Sequence, residues 1–464
     1  MAILITSPGL VTTGTEGADE ILFGSSVAAN GSVVNALAGN DTITLTAAGA
    51  TISSVGGPSI NGMGGADVIS VSGLPDFSAG VAALNGGAGG DTITVSNASG
   101  GVAVNGGDGN DLINVLSGSV ESLNVGGGSD TVNIATGSVV SAVTLGAGAD
   151  YFSAFGDVAG NLVAGGGADT ITLASFSKSG AILNADSSAN GGGTDSISVA
   201  TLGANADIKG KGGSDTISVT TIGSGAIVEG NAGGDLLTVE GFGNARVQAG
   251  SGNDTISIGF VASGVVVAGG GADSITVSGA AGIYTDLSVG LGAGSDTLTY
   301  STGVADGTYG SVDVSSLSDS TVSSIDTVSF AGTTGVAGSV IFDVGSSTLA
   351  GSAQLTTGGV ASGTTFLSGT GVTGGITSGG VMTVQNTVTS VATMAGYADA
   401  ATNTKAGSTV VFNNGEDAFL FIQGGSAGTD DDYVAKIDAK SGALLSMTFI
   451  GATAEQVQVS FTVD

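Results

Sequence analysis

The chain of 464 residues has no cysteine, no histidine, no tryptophan and only 3 prolines. Lack of cysteine excludes a disulfide scaffold, a thiolate metal site and a cysteine nucleophile. Positive charge is nearly as scarce: 7 Lys+Arg stand against 39 Asp+Glu, a net charge of -32, and no Lys or Arg precedes Lys178. A nucleic-acid partner needs clustered basic residues, so none is expected. The acidity favours cations instead. Charged residues make up 10%, well below the roughly 25% usual for soluble domains. Hydrophobic residues reach 41%, but Gly, Ser, Thr or Asp break every apolar run well short of the ~20 residues of a spanning helix. The opening segment Met1 to Leu10 has no basic n-region, so a standard secretory signal is not expected.

What the chain has in abundance is glycine, 87 residues, and a repeat. Alignment on one aspartate gives fourteen copies: Asp19, Asp41, Asp67, Asp91, Asp111, Asp130, Asp150, Asp169, Asp195, Asp215, Asp235, Asp254, Asp273 and Asp296. Most gaps are 19 or 20 residues, and the longer ones read as loop insertions. Two residues before the aspartate stands a glycine in all fourteen copies, and the residue between is always small. Two and four residues after it the side chain is apolar, as in Ile93 and Val95, with mostly Ser and Thr between. That alternation marks a strand with one buried face.

A second, weaker alternating segment such as Val102-Ala-Val completes each unit. One unit of about 20 residues cannot bury its apolar face alone, whereas units stacked in register can. Abundant glycine and β-branched residues oppose helix. The expected fold is all-β: a parallel β-solenoid over 1–300, an irregular β-rich continuation or small sandwich over 301–387, and a β-rich C-terminal module over 388–464. A degenerate copy, Ser324 to Phe330, is the last trace of the repeat. Within the C-terminal module, 388–401 reads as a short helix, and segments at 410–412, 418–422, 433–437 and 457–461 read as strands.

The glycine-rich turn brings backbone carbonyls next to a carboxylate, the oxygen-only donor set that calcium takes. Coils stack about 4.8 Å apart, so the fourteen aspartates form a column of like charge along one edge. Two such charges repel by roughly 0.9 kcal/mol even in water, and the column by on the order of 10 kcal/mol. A divalent ion between coils turns that repulsion into attraction. The competing reading is that each aspartate only caps its turn by local bonds to the backbone.

Segments 86–94 (GGAGGDTIT) and 106–114 (GGDGNDLIN), with 250–257 (GSGNDTIS), resemble the nonapeptide of RTX calcium-binding proteins. The resemblance covers roughly 14–300. It implies a calcium-dependent β-roll with the fourteen aspartates as metal ligands, exported to the cell exterior by a type I-like route without a cleaved leader. One loop per coil, where RTX repeats run back to back, implies a single row of ions. Only nine of the fourteen copies have glycine four residues before the aspartate. The stretch from Gly415 to Val434 resembles modules found downstream of RTX repeats in secreted and surface-layer proteins, which cap the roll and carry the export signal.

The function expected is a non-catalytic structural protein of a bacterial cell surface, assembling with itself in calcium into a layer, sheath or filament, with cell-surface polysaccharide as a further partner. An adhesin or ice-binding solenoid is the alternative, resting on outward pairs such as Thr42/Thr44, Thr92/Thr94, Thr170/Thr172 and Thr297/Thr299. A secreted polysaccharide-active enzyme ranks third, since histidine and cysteine are absent and the basic residues scarcely cluster.

Overall fold

The computed structural model describes residues 1–5, 10–23, 31–46, 57–74, 81–99, 101–187, 192–278, 286–300, 307–313, 320, 324–330, 336–343, 373–376, 381–385, 392, 395, 409–413, 417–424, 432–438, 444–450 and 456–463. It is a parallel β-solenoid followed by a β-rich C-terminal region. The chain forms two compact units, Met1–Ala232 and Gly233–Asp464.

In the first unit each coil contributes two strands. The strand after the aspartate stacks in parallel on its counterparts: Thr42–Thr46, Val68–Ser72, Thr92–Ser96, Leu112–Val115, Thr131–Ile134 and onward to Thr216–Ile222. The register is exact in the sense that equivalent repeat positions pair. Ile43, Ile69, Ile93, Ile113, Val132, Phe152, Ile171, Ile197 and Ile217 form one column, and all are buried. The second strand builds the facing column Val34, Ile60, Leu84, Val104, Leu123, Val143, Leu162, Leu183, Ile208 and Val228. Period-two alternation places these side chains inward and Ser, Thr and Asn outward. Each buried Ile or Leu contributes roughly 1.5–3 kcal/mol, but only once neighbouring coils cover it.

In the second unit Leu236–Ser251 and Thr255–Gly270 run through both ladders as 16-residue strands with register shifts at Phe242 to Ala245. Parallel stacking continues beyond residue 300. Thr297–Tyr300 pairs with Asp326–Phe330, and Asp286–Ala293 pairs with Gly307–Asp313, which pairs with Val336–Asp343. The continuation over 301–387 therefore begins as further coils. The C-terminal strands then close this stack. Tyr433–Asp438 pairs in parallel with Asp326–Phe330 where the next coil would lie, and Gln456–Val463 runs antiparallel along Val336–Asp343. Tyr300 stacks on Phe330 with ring centroids 5.6 Å apart beneath this closure.

The four strands expected in the C-terminal module are present as Thr409–Asn413, Ala418–Ile422, Tyr433–Asp438 and Gln456–Val463. Of the helix expected over 388–401, Ala392 and Ala395 are helical and the rest lies outside the described residues. Asp430 and Asp431 of the acidic run also lie outside them. Asp432 is buried and accepts the Gly424 NH at 2.8 Å.

Candidate functional site: an aspartate ladder inside the coils

Each repeat aspartate sits where the glycine turn ends and the strand begins, a corner that leaves its own N–H short of a ladder partner. The next coil supplies it. Asp91 N–H donates to Asp111 Oδ1 at 2.8 Å, Asp111 N–H to Asp130 Oδ1 at 2.8 Å, and Asp130 N–H to Asp150 Oδ1 at 2.8 Å. The same bond links Asp19, Asp41, Asp67 and Asp91 in turn, and Asp150, Asp169, Asp195 and Asp215. In the second unit it joins Asp235, Asp254, Asp273 and Asp296. All fourteen predicted aspartates are therefore in one kind of position. They are also buried, none more than 4% exposed. The bond that engages Oδ1 runs between coils and not within a single turn, and the charges lie inside the fold, away from the screening of a wet edge.

A fifteenth rung was hidden in the degenerate copy. Asp326 is 1% exposed and its Oδ1 accepts the Asp296 N–H at 3.0 Å. The Asp326 N–H has no further aspartate to meet and donates to Ser320 Oγ at 2.8 Å. Ser320 Oγ in turn donates to the Val434 carbonyl, and Val434 N–H returns to Ser320 O at 2.9 Å. A serine hydroxyl thus takes the last N–H of the ladder and ties it to Tyr433–Asp438. In the first unit the Met1 ammonium lies 2.8 Å from Asp19 Oδ1, and this contact holds the Asp19 carboxyl below its ordinary range.

One oxygen of each carboxylate is thereby used. The other is shut in. Oδ2 of Asp41, Asp67, Asp91, Asp111, Asp130, Asp150, Asp169, Asp195, Asp254 and Asp273 is buried with no hydrogen-bond partner. Burial accordingly pushes these carboxyls up, against the opposing pull of the N–H bond. Asp67, Asp150, Asp195 and Asp273 reach about 6, and Asp111 and Asp169 about 7. Adjacent rungs add to the rise at Asp67, Asp111 and Asp169 by like-charge repulsion. Asp186, which the repeat did not flag, is another buried acid beside Asp169 and Asp195 and contributes to the rise of both.

What faces Oδ2 depends on the residue five places before the aspartate. Where that residue is glycine, a Cβ there would run into both Oδ2 and a main-chain carbonyl of the next coil. At Gly62 these are Asp67 Oδ2 and Gly86 O, at Gly86 Asp91 Oδ2 and Gly106 O, and at Gly106 Asp111 Oδ2 and Val125 O. At these three rungs acceptor faces acceptor with no donor from the chain between them. Either a proton or a cation reconciles such a pair. The donors are oxygens only, carboxylate plus carbonyl, which suits calcium chemistry. Among the described residues no three acidic side chains converge on one point, so backbone carbonyls would make up most of a coordination shell. The equivalent residues before Asp130, Asp150 and Asp296 are Val125, Leu145 and Leu291, all buried. These rungs offer a cation less room.

The glycine two residues before the aspartate has a separate cause. Gly89, Gly109, Gly128 and Gly148 have φ between 129° and 139°. A Cβ on Gly109 would strike Gly89 O, and one on Gly128 would strike Gly109 O, so coils stack only if this column lacks side chains. The position four before the aspartate also has positive φ at Gly107 (119°) and, without glycine, at Leu37, Met63, Lys211 and Asn231 (80–81°). These four copies keep the turn, whereas Thr15 before Asp19 does not have positive φ.

The outward Thr column is interrupted. In register it reads Thr42, Val68, Thr92, Leu112, Thr131, Tyr151, Thr170 and Ser196. Side-chain ladders of asparagine run on the other outer face, Asn85 Nδ2 to Asn61 Oδ1 at 2.7 Å and Asn124 Nδ2 to Asn105 Oδ1 at 2.8 Å.

Fold and site together define a class: an all-β parallel solenoid with an internal ladder of aspartates running from coil to coil. No family model, curated protein or solved structure matches the chain.

Proposed function

We propose that this is a secreted structural protein of the bacterial cell surface whose coils lock when calcium enters the aspartate ladder, and which then assembles with its own kind into a layer, sheath or filament. The reading rests on its likeness to RTX repeats and above all on one observation, the buried Oδ2 atoms of the ten rungs named above, to which the chain gives no donor. At neutral pH an ionised oxygen in that setting is costly unless a cation meets it. Calcium would be held by the fourteen predicted aspartates, with Asp326 as a fifteenth, and most firmly where glycine backs the carboxylate, as at Asp67, Asp91 and Asp111. Because the ion binds the folded coil and not the free chain, it stabilises the coil by mass action.

Circular dichroism during calcium titration, with sizing and electron microscopy of the same samples, tests this. Calcium should raise the thermal midpoint or β-content and produce ordered assemblies that a chelator reverses. Unchanged stability in chelator would end the calcium reading. Dispersed monomers under both conditions would end the assembly reading.

A further inference from the structure

Beside the two main ladders, the first unit carries a small third sheet in which Gly118–Val120, Ser138–Val140 and Asp157–Val158 pair in parallel. It stops there. In the following coil the last bond backward at this corner is from Ala174 N–H to Ala154 O at 2.9 Å, and Phe176 then pairs forward, its N–H reaching Thr201 O at 2.9 Å. The break in stacking opens a notch of about 300 Å³ lined by Phe155, Gly156 and Asp157, with Ser138, Ser175 and Ser177.

Its chemistry is unlike that of the ladder. Phe155 is 65% exposed, while Phe23, Phe152, Phe176 and Phe330 are in the core. Asp157 is half-buried: its Oδ1 is shut away with no donor from the chain, which leaves Oδ2 as the oxygen that a ligand can reach. Ser138 Oγ is already engaged, donating to Val115 O at 3.3 Å. An exposed ring beside a carboxylate and hydroxyls calls for a ligand with one apolar face and O–H donors at its rim. We propose that this notch binds a neutral sugar ring, which stacks on Phe155 and donates hydroxyls to Asp157.

Other ligand classes fit less well. An anion meets a carboxylate and a chain of net charge -32. A calcium ion needs six to eight oxygens and gains nothing from a phenyl ring. Aromatic and other apolar ligands leave Asp157 without a donor. The site uses residues off the ladder, so it rests on the coil fold and not on the calcium reading.

Saturation-transfer NMR of the full chain in calcium, against the methyl glycosides of glucose, galactose, mannose and N-acetylglucosamine and their short oligomers, tests it. Saturation should reach ring C–H protons of at least one of these sugars. Phe155→Ala should weaken that binding about tenfold, and Asp157→Asn should weaken it too. Ser177→Tyr, at an exposed position, should abolish it by filling the notch while leaving the dichroism spectrum unchanged. Transfer to none of the sugars overturns the proposal, as does transfer that survives both Phe155→Ala and Ser177→Tyr undiminished.

Discussion

Replacing Asp111 by asparagine separates the two tasks of a rung. The amide oxygen still accepts the Asp91 N–H, now made to Asp111 Oδ1 at 2.8 Å. The amide nitrogen replaces Oδ2 and puts a donor toward Val125 O, where acceptor now faces acceptor. Burial raises the Asp111 carboxyl to about 7 from an ordinary 3.8, so without calcium above pH 7 it is ionised at a cost. At ~1.4 kcal/mol per pKa unit that rise is worth at most roughly 4 kcal/mol, and relaxation of the surrounding turns around the charge reduces it to about 2 kcal/mol. Asp111→Asn should therefore stabilise the calcium-free protein at pH 7.5, raising its thermal midpoint by roughly 4–8 °C for a unit of this size. In saturating calcium the same change should lower the midpoint, because a ligand has been lost. Differential scanning calorimetry in chelator and in calcium reads both signs. A variant destabilised equally in both conditions would refute the reasoning, since it would show that the carboxylate serves only as an N–H acceptor.

Other expectations follow from the same geometry. Without calcium, stability should be fullest near pH 4, where the folded carboxyls hold protons. It should fall as pH rises through about 6 and about 7, the values of Asp67, Asp150, Asp195, Asp273, Asp111 and Asp169. The sign follows from folded values above the unfolded ones, so the folded state binds more protons in that window. Urea midpoints measured from pH 4 to 8 check this, and calcium should flatten the upper part of the curve. Gly109→Ala should cost about 3 kcal/mol with or without calcium, through positive φ and the clash with Gly89 O; a calcium-dependent cost would contradict the steric account. Ser320→Ala should cost about 2 kcal/mol by orphaning the Asp326 N–H and the Val434 carbonyl. Hydrogen exchange should then quicken at Asp326 to Phe330 and Tyr433 to Asp438 first.

The coil was legible in the sequence because one period governs everything in it. Ile93 and Val95 two and four places after Asp91 define the buried face, and their partners 20 residues on, Ile113 and Val115, lie directly alongside. The reach of the coil was not legible. Asp326 lacks the glycine two residues earlier, having Ser324 instead, and follows Asp296 by 30 residues. The surviving signal was Val328 and Phe330 two and four places after it. The burial of the aspartates was also hidden, since alternation predicts which side chains of a strand face inward but not how a turn directs the carboxylate that precedes it. Nor could sequence reveal that Tyr433–Asp438 takes the place of another coil, because its segment carries no turn motif and pairs across more than 100 residues of chain.

The invariant glycine, which first suggested a calcium loop, is explained by stacking alone, because a side chain there meets the neighbouring coil whether or not metal is present. An ion is favoured instead by a less conspicuous position, five residues before the aspartate. Glycine at 62, 86 and 106 lets Oδ2 face a carbonyl of the next coil, whereas Val125, Leu145 and Leu291 occupy the same place elsewhere. The two sets of rungs should then respond differently. Gly86→Ala, which intrudes between Asp91 Oδ2 and Gly106 O, should remove calcium affinity locally, whereas Leu145→Ala, beside Asp150, should cost core packing of about 2–5 kcal/mol and leave the bound calcium unchanged or increased. Counting bound ions by equilibrium dialysis in the two variants decides it. Equal loss of calcium in both would mean that the glycine-backed rungs are not where the ions sit.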